Sequence, residues 1–204
     1  ITGTLSTGTT TNMSNMFGGY SNFNFKDRVE GGTEVLKYWD VSNVTNMSNM
    51  FSNNNVGDTS GLADWNTESL TNISSMFNGA DAKDMSGLAN WDMSKVTMIP
   101  SAFAYMEFEN SDNPFADTNW SMESLENMSC AFRGSQFKSL EGLESWQTSS
   151  LISMEEPFEG NYLLEDISAL RDWDVSNVNH MGYLFANDSS LNDISALENW
   201  NTKS

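Results

Sequence analysis

Large apolar residues return at a nearly fixed interval along almost the whole chain. Tryptophan stands at seven positions that are 26 to 29 residues apart: 39, 65, 91, 120, 146, 173 and 200. A phenylalanine follows each of the first six tryptophans by twelve residues, at 51, 77, 103, 132, 158 and 185. A period in this range is the signature of a repeat protein, in which each copy buries its apolar face against its neighbours.

Within a copy, the apolar residues follow three different spacings in succession. Before tryptophan it is three residues, as in Leu164, Ile167, Leu170 and Trp173. This spacing fits neither a long strand nor a long α-helix, so it predicts a coil that turns through short segments. After tryptophan the spacing becomes two, which predicts a short strand that pairs in parallel with the same strand in neighbouring copies.

The segment that follows the predicted strand has helical spacing. In the copy that begins at Trp39, Val44, Met47 and Phe51 are three to seven residues apart, and Ser42 or Thr45 is placed to cap the first amides. A helix of about two turns is too short to be stable alone in water, so it must be held by burial of its methionine and phenylalanine. Pro100 and Pro157 lie inside two of these segments and are expected to distort them.

These spacings predict an α/β fold, a right-handed leucine-rich-repeat-like solenoid with one short parallel strand and one short helix in each coil of about 26 residues. Residues 1–204 form a single domain in this interpretation. A partial copy and an insert occupy residues 1–38, repeats begin at residue 39, and a truncated copy occupies residues 200–204.

Two stretches contain extra residues that depart from the period of the repeat. Residues 18–34 carry about eight extra residues rich in glycine and aromatic side chains, which form either a cap over the open end of the stack or a protruding loop. Three extra residues lie around 110–114, where we expect a bulging loop, and Asp117 stands where other copies have leucine.

Charge narrows the range of partners. The chain has 28 acidic and 9 basic residues, a formal net charge of −19. Such a charge opposes binding to nucleic acid and to anionic lipid, and it favours a soluble monomer. No apolar run approaches the roughly 20 residues of a membrane span, so we expect no membrane insertion of this segment.

Candidate catalytic chemistry is sparse. Cys130 is the single cysteine, so no internal disulfide and no cysteine-based zinc site can form, and a tolerated small residue is the simplest interpretation of it. His180 is the single histidine and stands where other copies have asparagine. No hydrolase, metalloprotease or nucleotide-binding motif occurs, so the sequence predicts a protein that is not an enzyme.

An Asp-x-Ser pattern recurs before tryptophan and is the one candidate for a metal. Its aspartates are Asp58, Asp84, Asp166 and Asp193. Stacked coils lie about 4.8 Å apart, so aligned carboxylates repel one another. Either each aspartate caps nearby backbone amides, or a bridging Ca²⁺ relieves the repulsion; no other cofactor is expected.

A row of polar residues follows the tryptophans and is expected to face outward on the sheet. The row consists of Asp40, Asn66, Asp92, Ser121, Gln147 and Asp174. Short hydrogen-bonding groups at regular spacing suit a glycan or an extended polypeptide as ligand, and they equally suit a solvated face. This row is the candidate binding site.

The most regular copies resemble a known family. Trp-Asp-Val-Ser-Asn-Val-Thr-Asn-Met-Ser-Asn-Met-Phe at 39–51 and Trp-Asp-Val-Ser-Asn-Val at 173–178 are similar to the 26-residue surface-protein repeat of the BspA-like leucine-rich-repeat group, found in low-GC Gram-positive bacteria and mollicutes. The resemblance extends from residue 5 to residue 204. It implies an extracellular protein of the bacterial cell surface, attached through the cell wall or as a lipoprotein by an anchor outside this segment.

The same resemblance sets the functional expectation. It implies a non-enzymatic adhesin module that binds host-surface glycans, mucin or matrix proteins, and it transfers no catalytic or ligand-binding residue. The alternative is a stalk or spacer that displays a separate binding domain. Irregular surface features favour the first interpretation, because a spacer needs only interchangeable copies.

Overall fold

A computed structural model describes residues 8–19, 24, 26, 29–109 and 112–202. Leu5, at the start of the predicted partial copy, lies outside this part of the chain. So do Tyr20, Phe23, Phe25 and Arg28 of the first insert, together with Asn110 of the second.

Three short strands form one parallel sheet in the described part of the chain. They are β1 (Asn55–Gly57), β2 (Asp81–Ala82) and β3 (Glu107–Phe108), in the order β1-β2-β3. Asn55 pairs with Asp81, and Asp81 pairs with Glu107, so residues one repeat apart lie side by side. The register shifts once, between Asn55 and Gly57.

A second set of parallel bridges joins consecutive copies before each phenylalanine. The bridged residues, in order, are Asn12, Asn46, Asn72, Met98, Asn127, Ser153 and His180. The backbone amides here are shared between copies, because Met47 N donates to Asn72 O at 2.9 Å and Met154 N donates to His180 O at 2.8 Å. Each copy is therefore tied to the next through its backbone.

The strand and the helix predicted for each copy do not lie where the spacing of apolar residues predicts them. The residues directly after Trp39 form no strand, and the first parallel bridge lies at Asn46. Residues 48–53 form turns instead of the predicted helix. Asn49 has a φ of 56°, and an L-residue in this left-handed conformation cannot continue a right-handed helix.

The left-handed residue recurs two positions before each phenylalanine. Its members are Asn15, Asn49, Ser75, Ser101, Cys130, Glu156 and Tyr183, with φ between 55° and 60°. In the copy that begins at Trp39, called here the second copy, every other backbone amide from Met47 to Asn53 donates to the following copy. These donors and acceptors are Met47 N to Asn72 O, Asn49 N to Ser74 O, Phe51 N to Met76 O, and Asn53 N to Asn78 O.

Short 3₁₀-helices precede four of the tryptophans. They comprise Ser60–Leu62, Ser86–Leu88, Ser168–Leu170 and Ser195–Leu197, and a longer one, Gly32–Leu36, precedes Trp39. The 3₁₀-helix has 3.0 residues per turn, which explains the three-residue spacing of apolar positions. It also brings Leu62 O to Trp65 N at 3.2 Å.

Two columns of aromatic rings fill the core. The phenylalanine column is continuous from Phe17 to Phe185, with centroid distances of 5.3 to 6.0 Å between consecutive rings. In the tryptophan column, Trp65 and Trp91 stack at 5.9 Å and Trp146 and Trp173 stack at 5.8 Å. Offset stacking at such distances is favourable beyond the burial of area alone.

The irregular copy alters the core next to Trp146. Each of five indoles donates Nε1–H to the leucine carbonyl one repeat earlier, as Trp91 does to Leu62 O at 3.0 Å. Trp146 Nε1 is buried without an acceptor, and Asp117 stands in the place of that leucine. Phe115 fills the core here and packs edge-on against Phe103 and Phe132 at 5.2 and 5.3 Å. Phe115 thus adds a ring to the core of this irregular copy.

Candidate functional site

The predicted outward row does not lie on a sheet. Asp40, Asn66, Asp92, Ser121, Gln147 and Asp174 all follow the tryptophans in segments without strand structure. In the aspartate and asparagine members a side-chain oxygen accepts the amide two residues later, as Asp92 Oδ1 does from Ser94 N at 3.0 Å. Ser121 donates to Gln147 Oε1 at 2.9 Å, which is a contact between neighbouring copies.

These local turns explain the ionisation of the aspartates in the row. The Ser42, Ser94 and Ser176 hydroxyls and backbone amides lower the pKa of Asp40, Asp92 and Asp174 below the ordinary value. The carboxylates therefore stabilise turns, and their binding role stays a prediction.

The Asp-x-Ser aspartates also cap local backbone amides. Asp58, Asp84, Asp166 and Asp193 accept the amides of Ser60, Ser86, Ser168 and Ser195 at 2.8 to 3.0 Å. The Ser60 and Ser195 amides are the largest cause of the lowered pKa of Asp58 and Asp193. Among the described residues no group of three or more His, Cys, Asp or Glu side chains is placed to hold a metal ion. Local capping thus accounts for the pattern without Ca²⁺.

Cys130 and His180 occupy repeat positions and form no reactive pair with each other. Burial is the largest cause of the raised pKa of the Cys130 thiol, and the Glu156 carboxylate raises it further. A thiol with a raised pKa is a poor nucleophile at neutral pH. His180 is exposed and its backbone pairs with Ser153.

The surface beside the phenylalanine column differs from copy to copy. Two positions after each phenylalanine, the residues are Asn53, Gly79, Tyr105, Gly134, Gly160 and Asn187, all with positive φ. Four positions after each phenylalanine, they are Asn55, Asp81, Glu107, Gln136, Tyr162 and Ser189. These two columns adjoin a core that hardly changes, and they carry two candidate clefts.

The first cleft is acidic and lies over the three-stranded sheet. It has a volume of about 200 Å³ and is lined by Asn55, Asp81, Glu107, Glu109 and Lys26, among others. Burial and the neighbouring Glu107 raise the pKa of Asp81. Lys26 forms an ion pair with Glu109. Like charges one repeat apart are thus partly neutralised by one lysine.

The second cleft contains the exposed tyrosines and is called here the tyrosine groove. It has a volume of about 310 Å³ and is lined by Tyr105, Arg133, Gly134, Gln136, Glu159, Gly160, Tyr162 and Asn187. Tyr105 and Tyr162 are 52% and 56% exposed, although large apolar surfaces are normally covered. The volume lies at the lower end of the roughly 300–1,000 Å³ typical of small-molecule sites.

Glycine forms the floor of the tyrosine groove. A Cβ atom at Gly134 would lie 2.7 Å from Cδ1 of the Tyr105 ring, so the ring lies directly on the glycine backbone. Gly134 and Gly160 have φ values of 67° and 77°, a region that glycine adopts without strain. A side chain at Gly160 would fill the groove, whereas one at Gly134 would displace the Tyr105 ring.

Polar groups in the tyrosine groove are held in place by one another. Arg133 pairs with Glu156 at 2.7 Å and with Glu159 at 3.0 Å. Partial burial opposes the charge on Arg133, but Tyr105 and the two carboxylates raise its pKa above the ordinary value. Gln136 Nε2 donates to Gly160 O at 2.8 Å and to Gly134 O at 3.2 Å. These contacts fix the orientation of a cation, an amide and a carboxylate.

Sequence reasoning missed the tyrosine groove because it followed the positions that repeat. Tyr105 stands in a column whose other members are asparagine or glycine, and that departure was the available signal. Its side chain could not be placed from the sequence, because the spacing of apolar residues predicts a helix in a segment that contains left-handed residues.

Comparison with known proteins identifies a family. Residues 11–140 and 126–204 match the family described as Mycoplasma protein of unknown function, DUF285. No curated protein and no solved structure matches the chain significantly. The family match supports the coarse part of the expected resemblance, a bacterial surface repeat family. In the described part of the chain, no helix is long and apolar enough to cross a membrane.

Proposed function

The chain belongs to this Mycoplasma family of unknown function, and from that premise we propose that it is a non-enzymatic adhesin module of the bacterial cell surface. Its partners in this proposal are host-surface glycans, mucin or matrix proteins. Membership of the BspA-like leucine-rich-repeat group and attachment through a wall or lipid anchor are parts of the same proposal.

One observation carries the proposal: the buried columns repeat while the neighbouring surface columns do not. The phenylalanine column is uniform, yet the position two residues later holds asparagine, glycine or tyrosine. Two of the four exposed tyrosines among the described residues, Tyr105 and Tyr162, lie in these surface columns. A surface that only spaces two domains has no need of such variation, whereas a binding surface must differ along its length to hold one partner in one place.

The proposed architecture is a right-handed leucine-rich-repeat-like solenoid over residues 1–204. Parallel bridges between consecutive copies and the continuous phenylalanine column favour it. The right-handed sense follows the general rule for parallel strands joined by a crossover. A crystal structure tests it directly, and left-handed or unstacked copies would contradict it.

Binding is tested with the purified chain on a mixed array of glycans, mucins and matrix proteins. We expect saturable binding to at least one component and none to nucleic acid. The matched control is the same chain in an unfolded state, prepared by heating and rapid cooling. Loss of the tryptophan signal in near-ultraviolet circular dichroism verifies that this sample is unfolded. An array on which native and unfolded chain give the same signal would contradict the proposal.

A stalk is the second candidate, and the continuous core favours it. Seven phenylalanine rings in one column and repeated amide bonds between copies suit a stiff spacer. A stalk would bind nothing on the array, and it would tolerate replacement of one copy by another. An adhesin would lose binding when the copies that carry Tyr105 and Tyr162 are replaced.

A further inference from the structure

We infer that the tyrosine groove binds one neutral pyranose ring of a glycan. This inference rests on the proposed adhesin function and assigns it a place and a ligand class. The groove brings together three features that such a ring requires: exposed aromatic faces, fixed donors and acceptors, and a floor without side chains.

The aromatic faces are Tyr105 and Tyr162, which belong to copies two repeats apart, with Gly134 and Gln136 of the intervening copy also lining the groove. Both rings are more than half exposed. A pyranose has an apolar face made of C–H groups, which packs against an aromatic ring and covers it from water. Tyrosine supplies such a surface at low conformational cost because only two torsion angles are fixed on binding.

The donors and acceptors are fixed before any ligand arrives. Gln136 Nε2 is held by two backbone carbonyls, which leaves its Oε1 as an acceptor without a partner in the described part of the chain. Glu159 is held by Arg133 and lies 3.5 Å from Asn187 Nδ2. Vicinal hydroxyls donate and accept at once, so mixed amide, carboxylate and guanidinium groups suit them.

Charge decides between neutral and ionic ligands. The guanidinium of Arg133 is already paired with two carboxylates, Glu156 and Glu159, so it offers little attraction to a further anion. The whole chain carries a net charge of −19 and repels sialylated or sulfated glycans. The groove itself lacks the aromatic enclosure that an organic cation needs. A neutral sugar avoids these costs.

The floor sets the size of the ligand. Gly160 leaves open the space that a side chain would occupy, since a Cβ there would meet only the Gly134 backbone at 3.9 Å or more, and the cleft volume of about 310 Å³ suits one sugar ring with its neighbours in solvent. The groove is open, so the expected affinity of one site is weak, with a Kd of about 1 mM. Adhesion through such a site relies on many copies on one surface.

The test titrates the chain with lactose, cellobiose, maltotriose and chitobiose, and with 3′-sialyllactose as the anionic counterpart of lactose. Binding is measured by calorimetry and by amide shifts in nuclear magnetic resonance spectra. We expect at least one neutral sugar to bind, and 3′-sialyllactose to bind more weakly than lactose. Tyr162→Ala should weaken binding at least about ten-fold, as loss of a central aromatic contact does.

Two further variants separate the site from the fold. Gly160→Asn fills the floor, and asparagine already occupies this left-handed position at Asn53 and Asn187, so the backbone tolerates it. We expect it to lose binding with unchanged circular dichroism. Tyr38→Ala is the matched control, because Tyr38 is 67% exposed and lies outside the groove, and it should bind within about two-fold of the parent chain.

The outcomes distinguish the inference from the function on which it rests. Absence of binding to every neutral sugar, tighter binding of 3′-sialyllactose than of lactose, or undiminished binding by both groove variants would each overturn the inference. If the chain still bound a component of the mixed array, the adhesin proposal would stand without this site. If the array were also blank, both would fail.

Discussion

At the scale of the residue, Trp91 and Trp146 are equivalent positions of the repeat that differ in the hydrogen bonding of the indole. Both residues are 4% exposed, and each stacks on another tryptophan, Trp91 on Trp65 and Trp146 on Trp173. Trp91 Nε1 donates to Leu62 O at 3.0 Å, whereas Trp146 Nε1 is buried without an acceptor. A buried donor without a partner is costly, so the two tryptophans contribute unequally to stability.

We expect Trp91→Phe to destabilise the protein more than Trp146→Phe, by about 1–2 kcal/mol. The first substitution removes one of the two hydrogen bonds that the Leu62 carbonyl accepts, the other being from Trp65 N, while the second removes a donor that has no acceptor. Both lose a similar ring area, so the difference isolates the hydrogen bond. Urea unfolding of the two variants measures it, and equal losses would contradict the assignment.

Asp188 gives a second prediction at this scale. The side chain is 8% exposed, and burial raises its pKa to about 6, with the nearby Glu159 acting in the same direction. Its Oδ1 accepts the Asn161 amide at 2.7 Å, while Oδ2 is buried without a partner. The folded state therefore binds the proton more tightly than the unfolded state, whose aspartate has a pKa near its ordinary value of 3.8.

The contribution of Asp188 to stability is complete below about pH 4 and is lost as the pH rises through 6. Asp188→Asn should remove this contribution and be the more stable protein at pH 7.5, by at most roughly 3 kcal/mol. Unfolding midpoints of parent and variant between pH 4.5 and 7.5 measure it. Midpoints that fall in parallel over this range would show that other carboxylates cause the dependence.

At the scale of the element, the segment before each phenylalanine depends on one left-handed residue. Ser75 has a φ of 56° and lies between amides that bond to two different copies. Side chains branched at Cβ are the least tolerant of this conformation, whereas glycine and asparagine adopt it readily. The identity of this residue therefore decides whether the segment keeps its contacts with both neighbours.

We expect Ser75→Val to destabilise the protein by about 1–2 kcal/mol, Ser75→Asn to be nearly neutral, and Ser75→Gly to be neutral or slightly stabilising. Asn15 and Asn49 occupy the same position in other copies. Ser74→Val is the control, because Ser74 is adjacent but has no positive φ. Thermal unfolding ranks the variants, and equal losses for both valine variants would contradict a special role for Ser75.

The same segment shows which features of the fold could be predicted from the sequence and which could not. The repeat period identified which residues are equivalent, and the columns from Phe17 to Phe185 and from Trp65 to Trp91 join equivalent residues. Helical spacing at Val44, Met47 and Phe51 did not reveal the left-handed Asn49, because burial of the same side chains is compatible with helix and with turns. The tyrosine groove depends on that backbone, so its position could not be derived.

At the scale of the whole molecule, each copy touches only its neighbours, so stability depends on position in the stack. Phe103 is fully buried and packs against Phe77 and Phe132 at 6.0 and 5.5 Å, with Phe115 and Trp120 close by. Phe185 is partly buried and stacks on Phe158 at 5.6 Å. Loss of a ring in the middle therefore interrupts two interfaces.

Phe103→Ala should cost about 3–5 kcal/mol, and Phe185→Ala clearly less. Hydrogen exchange locates the damage: the amide of Phe77, which donates to Ala102 O at 2.8 Å, should lose protection in the first variant and keep it in the second. The opposite result would be an equal loss of unfolding free energy in both variants, with hydrogen exchange raised evenly along the chain. It would show that the chain unfolds as one cooperative unit and not copy by copy.

The direction of the bonds between copies has an electrical consequence. In the second copy, four amides point their N–H groups toward the following copy, at Met47, Asn49, Phe51 and Asn53, while Thr45 and Asn46 N point back to a single carbonyl, Thr11 O. Each peptide unit carries a dipole of about 3.5 D, and aligned units add. The phenylalanine column is thus flanked by a macrodipole whose positive pole lies toward Phe185 and whose negative pole lies toward Phe17. Its sense along the chain is the reverse of that in an α-helix, so the field of the backbone favours negative charge near the Phe185 end of the column.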